Sequence, residues 1–139
     1  MAGVERFGVS MDDELLTRFD GMVKSRGYQS RSEAIRDLVR QEMVKDEWAD
    51  PNAEVVGTVT IVYEHHEHEL SNVLADLQHQ YHSYILCSTH IHLDPHNCLE
   101  VIIVRGTSAR VKYIANTLIS TRGVKHGQLV STTTGKELT

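Results

Sequence analysis

The 139-residue sequence predicts an α+β chain in two parts: a strand–helix–helix unit, then a β-α-β-β-α-β sandwich. Three observations predict this. Apolar residues recur with period two over Arg6–Met11 and then at helical spacing from Leu15 to Met43. A polar stretch around Pro51, one of only two prolines, interrupts the pattern. Beyond it β-branched runs alternate with amphipathic ones, and all nine histidines lie at or after position 65.

The first strand is Arg6–Met11, with Phe7, Val9 and Met11 on one face and Arg6, Gly8 and Ser10 on the other. Asp12 and Asp13 suit a helix start, where carboxylates meet free amides and the positive end of the dipole. Leu15, Leu16, Phe19, Met22 and Val23 then form one stripe. Gly27 suits the left-handed cap in Arg26-Gly27-Tyr28. Ser30-Arg31-Ser32-Glu33 matches a capping box and opens a second helix with the stripe Ala34, Ile35, Leu38, Val39 and Met43. One strand and two short helices leave unpaired edges and too small a core. The predicted repair is a second copy of the chain, its strand paired antiparallel across a two-fold axis. Arg6, Gly8 and Ser10 are then exposed on a two-stranded ribbon of the kind that enters the DNA major groove. Ser30 and Arg31, at a helix N-terminus, are placed to grip a phosphate. The plainer reading is a helical hairpin used only for dimerisation.

The expected boundaries are 1–48 for this unit, 49–54 for a linker, 55–133 for the sandwich and 134–139 for a flexible tail. The polar stretch Lys45–Glu54 supplies the linker, because Pro51 disfavours helix at Asp50. In the sandwich, Val55–Tyr63 reads as a strand and Leu70–Tyr81 as a helix with Leu70, Val73, Leu74 and Leu77 inward. Tyr84–Leu93 and Cys98–Val104 read as strands joined by the turn Asp94-Pro95-His96-Asn97. Ser108–Thr121 reads as a helix with Val111, Ile114, Ala115 and Leu118 inward, and Val124–Ser131 as the last strand. That order is the split βαβ, ferredoxin-like arrangement.

Net charge is −5, and neither part is basic: residues 1–50 carry eight Lys and Arg against eleven Asp and Glu. Any DNA contact must therefore come from local placement of charge. No apolar run approaches a membrane span, and the charged N-terminus does not read as a signal peptide. Two cysteines make no disulfide framework, so Cys87 and Cys98 are expected as reduced thiols and the protein as cytoplasmic.

His79, His90, His92 and Cys98 bring imidazole and thiolate donors into twenty residues, a set suited to zinc, copper or nickel. His90 and His92 are two apart on a strand and share a face. Cys98 opens the next strand across the turn and can lie beside them. His79, on the preceding helix, is expected to arrive from a symmetric partner. Cys87 is opposite in phase to His90 and His92 and is expected to be buried. An enzyme is not expected, since four protein ligands would close the site and no separate nucleophile–base pair is visible.

The sequence resembles the nickel-responsive repressors called NikR from Arg6 to about Leu129. The specific stretches are Arg26-Gly27-Tyr28, Arg31–Asp37, Tyr63-Glu64-His65, Gln78-His79, His90-Ile91-His92 through Cys98-Leu99-Glu100, and Arg122–Gly127. The resemblance implies a ribbon–helix–helix DNA-binding domain followed by an ACT-like, ferredoxin-like domain. It implies a homotetramer, a dimer of dimers, on double-stranded operator DNA, repressing nickel-uptake genes. It implies one Ni(II) per subunit held by His90, His92 and Cys98 with His79 of a neighbouring subunit, and Glu100 beside the site. It implies base reading by Arg6, Gly8 and Ser10, and a second cation, potassium in some relatives, on Glu33 and Asp37. Three positions depart from the family. Gly8 stands where Thr or Ser is common, and Glu67 and His68 stand where a relative has basic DNA contacts. His65, His66 and His68, with His82, suggest an accessory metal site beside the plainer reading of a solvated helix entry. The alternatives are a regulator answering to cobalt, zinc or copper, and a metal storage or delivery protein that does not bind DNA.

Overall fold

The computed structural model describes residues 3–66 and 68–139, with only the backbone of His68. The chain divides into two compact units, Met1–Gln41 and Glu42–Thr139.

In the first unit residues 3–12 are exposed and carry no regular secondary structure. The expected strand over Arg6–Met11 does not form within one chain, because a strand needs a neighbour for its amides and carbonyls. Its apolar alternation persists as exposed side chains, Phe7 at 76% and Val9 at 60%. Helix α1 spans Asp13–Ser25, and its N-cap Asp12 accepts the Leu15 N–H at 2.8 Å. It ends where Gly27 takes φ 80°, with the Tyr28 N–H returning to the Val23 carbonyl at 3.0 Å. Helix α2 spans Arg31–Ala49. Ser30 Oγ accepts the Glu33 N–H at 3.2 Å, as a capping box requires. The reciprocal bond falls one residue early: Glu33 Oε2 accepts from the Gln29 N–H at 3.0 Å.

Helix α2 runs to Ala49, so only residues 50–53 lie between regular elements where a linker over 49–54 was expected. The reason is Trp48. It is 5% exposed in the core of the second unit, and its Nε1 donates to the Thr132 carbonyl at 2.8 Å. Burying an indole that also finds an acceptor outweighs the polar character of its neighbours. It crosses Gly57, where a Cβ would come within 3.1 Å of the indole and 2.8 Å of Leu129.

The second unit is β1 (Glu54–Glu64), α3 (His68–Gln80), β2 (Ile85–His92), β3 (Asn97–Thr107), α4 (Ser108–Ile119) and β4 (Val124–Thr132). The four strands pair antiparallel in the order β2-β3-β1-β4, the ferredoxin-like arrangement. The core is the face that meets α3 and α4. Val55, Val59, Ile61 and Tyr63 of β1 pack there with Cys98, Ile102 and Val104 of β3 and with Leu70, Leu74, Val111, Ile114 and Leu118 of the helices. Strand β4 reaches Thr132, so the polar tail begins one residue later than Ser131-Thr132 alone would suggest, and Lys136 Nζ lies 3.4 Å from Glu54 Oε2.

Cys87 is exposed, contrary to expectation. It pairs with Ile103 on the sheet face turned away from the helices, and β2 is an edge strand exposed over nearly its whole length. Opposite phase to the histidines therefore means the uncovered face, not the core.

Candidate metal centre

The antiparallel registers set the centre. His92 pairs with Cys98 and His90 with Glu100, while on the other side of β3 Tyr63 pairs with Cys98 and Ile61 with Glu100. Two rows thus cross three strands on the helix-covered face: Tyr63–Cys98–His92 and Ile61–Glu100–His90. Cys98 is buried, and His90 and His92 stand exposed at the sheet edge. Cys98 Sγ lies 3.6 Å from His92 Nδ1, and the His90 and His92 rings are 5.2 Å apart.

The turn is rigid for a chemical reason. The Asp94 carboxylate accepts the backbone N–H groups of His96 at 2.7 Å and Asn97 at 2.8 Å, as well as the Asn97 side-chain amide. The Asn97 side chain foremost, then these N–H groups, hold the Asp94 carboxyl down at about 2. Burial foremost, then the charges of Asp94 and Glu100, push the Cys98 thiol up. A metal ion must therefore displace a proton to gain the thiolate.

Beneath the rows lies a polar chain that sequence reasoning captured only through Glu100. Glu100 Oε2 accepts from the Tyr63 hydroxyl at 3.0 Å and Oε1 from Gln78 Nε2 at 2.9 Å. Burial foremost, then the Glu100 charge, raise the Tyr63 hydroxyl well above the usual phenol range. Gln78 ties helix α3 to β3 one residue before His79. The signal lay in the Tyr63-Glu64-His65 and Gln78-His79 stretches, whose chemical content is invisible without the β1–β3 register.

His79 stands exposed in the last turn of α3, its ring 6.0 Å from that of His82. Among the described residues the structure gathers a different metal-capable trio: His65, His92 and Cys98, with donor atoms within 4.8 Å of one another. His66 and His82 do not join it. His66 Nε2 is 2.9 Å from the Pro95 carbonyl, and His82 Nδ1 is 3.0 Å from the His79 carbonyl at the end of α3. Glu67 and the His68 side chain lie outside the described residues.

In the first unit, Arg6, Gly8 and Ser10 are exposed, as a base-reading role requires. Ser30 caps α2, and Arg31 grips Asp20 through two bonds of 2.8 and 2.9 Å, so a phosphate would have to compete with that carboxylate. Glu33 and Asp37 line an open hollow of about 330 Å³ with Tyr28, Arg36 and Arg40. Asp37 accepts the Tyr28 hydroxyl at 2.7 Å and an Arg40 N–H at 3.3 Å, so a cation there meets two guanidinium groups.

A ferredoxin-like domain with a histidine–thiol hairpin, preceded by an apolar–polar alternating segment and two capped helices, defines a class of metal-responsive DNA-binding regulators. Residues 56–132 match the family model of the NikR C-terminal nickel-binding domain, and residues 5–46 match that of ribbon–helix–helix proteins of the copG family. The chain is 53% identical over 138 residues to a protein of Solibacter usitatus named "Putative nickel-responsive regulator", covering 99% of each. It is 54% identical over 133 residues to one of the same name from Geobacter sulfurreducens, covering 96% of each. A solved structure of an uncharacterized Thermotoga maritima protein superposes with a TM-score of 0.50 at 16% identity, covering 56% of this chain and 96% of that one, a likeness of fold alone. The chain belongs to the NikR family of nickel-responsive regulators. Among the described residues no helix is long and apolar enough to cross a membrane.

Proposed function

We propose that the protein is a nickel-dependent repressor of nickel-uptake genes that reads operator DNA when Ni(II), one per chain, joins two subunits. The observation that carries this is the division of ligands. His90, His92 and Cys98 are fixed on one hairpin, whereas His79 ends α3 outside the donor trio that the chain gathers by itself.

The residues fit nickel chemically: three imidazoles and one thiol form a nitrogen–sulfur set, and two of the imidazoles sit at an exposed edge where a fourth donor can approach. When bound, nickel(II) supplies a preference for four donors in one plane. The protein's own residues do the rest. The β2–β3 register holds His90, His92 and Cys98 on one face, and Asp94 pins the turn between them. Tyr63 and Gln78 orient Glu100 behind the ligands, and through Gln78 the position of α3, hence of His79, is coupled to the hairpin. A second chain that donates His79 becomes part of the site, which favours one arrangement of subunits over others.

A homotetramer built as a dimer of dimers agrees with two uncovered apolar surfaces. One is the sheet face turned away from the helices, with Val62, Leu99, Val101 and Ile103 half-buried and Ile91 and Val130 about half exposed. The other is the segment carrying Phe7, Val9 and Met11, which a second copy would convert into a ribbon presenting Arg6, Gly8 and Ser10 to the major groove. Glu33 and Asp37 are proposed as a site for a second cation such as potassium. The test is a gel shift on a duplex selected from a random pool with nickel-loaded protein. Affinity must fall at least ~10-fold in chelator, the low end of ordinary allosteric coupling; equal affinity with and without nickel contradicts the reading.

A further inference from the structure

His65 is the histidine that an intersubunit site leaves over. It follows β1, whose last residues Tyr63 and Glu64 lie opposite Cys98 and Asn97. Its N–H donates to the His96 carbonyl at 2.6 Å, fastening this turn to the β2–β3 hairpin. Its ring meets the His92 ring edge-on at 4.4 Å. With Cys98 the three offer two imidazole nitrogens and one sulfur within 4.8 Å of one another, all from one chain.

The spacing discriminates between coordination geometries. With metal–nitrogen bonds of about 2.05 Å and metal–sulfur bonds of about 2.3 Å, donors at a tetrahedral angle lie ~3.5 Å apart, and adjacent donors at a square-planar angle ~3.1 Å. Cys98 Sγ and His92 Nδ1 are 3.6 Å apart, the tetrahedral separation. Only a modest closure of the His65 ring would complete a three-donor set, with the fourth position open to water at the exposed edge.

We propose that His65, His92 and Cys98 form a chain-complete site for a divalent ion of tetrahedral preference, zinc or cobalt(II), which shares two ligands with the nickel site and so excludes it. The inference rests on the nickel reading only for those shared ligands. An ion held here needs nothing from His79, so it occupies the hairpin without joining subunits. Geometry then sorts the metals: a planar ion recruits His79 from another chain, and a tetrahedral ion is satisfied by His65 of its own. His65 is in this view a specificity determinant that keeps other metals from giving the nickel signal.

The experiment is an anaerobic titration of full-length, reduced apoprotein with cobalt(II) and, separately, with nickel(II), followed by visible absorption. Wild type, His65→Ala, His79→Ala and His65→Cys are compared. Cobalt(II) should give intense tetrahedral bands with thiolate charge transfer in wild type and His79→Ala. His65→Ala should lose those bands and bind cobalt at least ~10-fold more weakly, and His65→Cys should restore them. Nickel should show the reverse dependence, with its planar thiolate spectrum kept in His65→Ala and lost in His79→Ala. Unchanged cobalt spectra in His65→Ala, or their loss in His79→Ala, overturn the chain-complete site. Loss of the nickel spectrum in His65→Ala also overturns it, because His65 would then only support the fold. A nickel spectrum that survives in His79→Ala contradicts the intersubunit nickel reading while leaving the cobalt result to stand or fall by itself.

Discussion

Residues 3–12 and the β2–β3 hairpin are both exposed, and a single chain leaves them incomplete in different ways. The N-terminal segment lacks a backbone partner, so its strand does not form and Phe7 and Val9 face solvent. The hairpin has all its backbone pairing, a fixed turn and a buried sulfur, and lacks only a donor. Missing hydrogen-bond partners abolish an element, whereas a missing ligand leaves a formed element that waits. Segments of the first kind report assembly, and segments of the second kind report a metal.

The largest effect that would sharpen this contrast is Cys98→Ser. Loss of a direct ligand should weaken nickel binding by more than the roughly 10–100-fold typical of outer partners, measured by competition with a chelator. Retained affinity would remove the hairpin from the site. Next come two truncations of opposite kind. Ile102→Ala, in the fully buried core, should destabilise the sandwich by about 2–5 kcal/mol in denaturant unfolding. Phe7→Ala should leave that transition within ~0.5 kcal/mol yet weaken DNA binding at least ~10-fold, because the ribbon's apolar face is lost. If Phe7→Ala unfolds the sandwich as Ile102→Ala does, the two regions are not separate in their energetics.

Much of this contrast was legible in the sequence. Element order and helix starts followed from periodicity and from Asp12 and Ser30, because those signals are local. His92 beside Cys98 followed from hairpin spacing. Three things were not legible, and each depends on a partner far along the chain. Trp48 looked like linker until Thr132 and Gly57 were placed against it. Cys87 looked buried by phase alone, but phase does not say which face of an edge strand is covered. His65 looked like part of a solvated cluster until β1 was registered on β3.

Smaller effects probe the support of the hairpin. Tyr63→Phe removes one of two donors to the buried Glu100 and should cost about 1–3 kcal/mol of stability, with nickel affinity down ~10-fold; unchanged values for both would make the polar chain incidental. The smallest effect concerns acid. Asp94 titrates lower in the folded chain, at about 2 against a usual 3.8, so its contribution is present above the unfolded value and is lost as pH falls toward 2. Asp94→Asn should flatten the melting temperature between these two values, and an unaltered acid slope would show that the turn is held otherwise.

The most direct test of the central claim, that nickel joins two chains, mixes two inactive variants. His79→Ala keeps the hairpin and lacks the helical ligand; Cys98→Ser keeps His79 and lacks the sulfur. Each alone should show no planar nickel–thiolate absorption. Unfolded together and refolded as mixed oligomers, they should recover that absorption, because the hairpin of one chain meets His79 of the other. Mixed oligomers that remain spectrally silent would contradict a site shared between subunits.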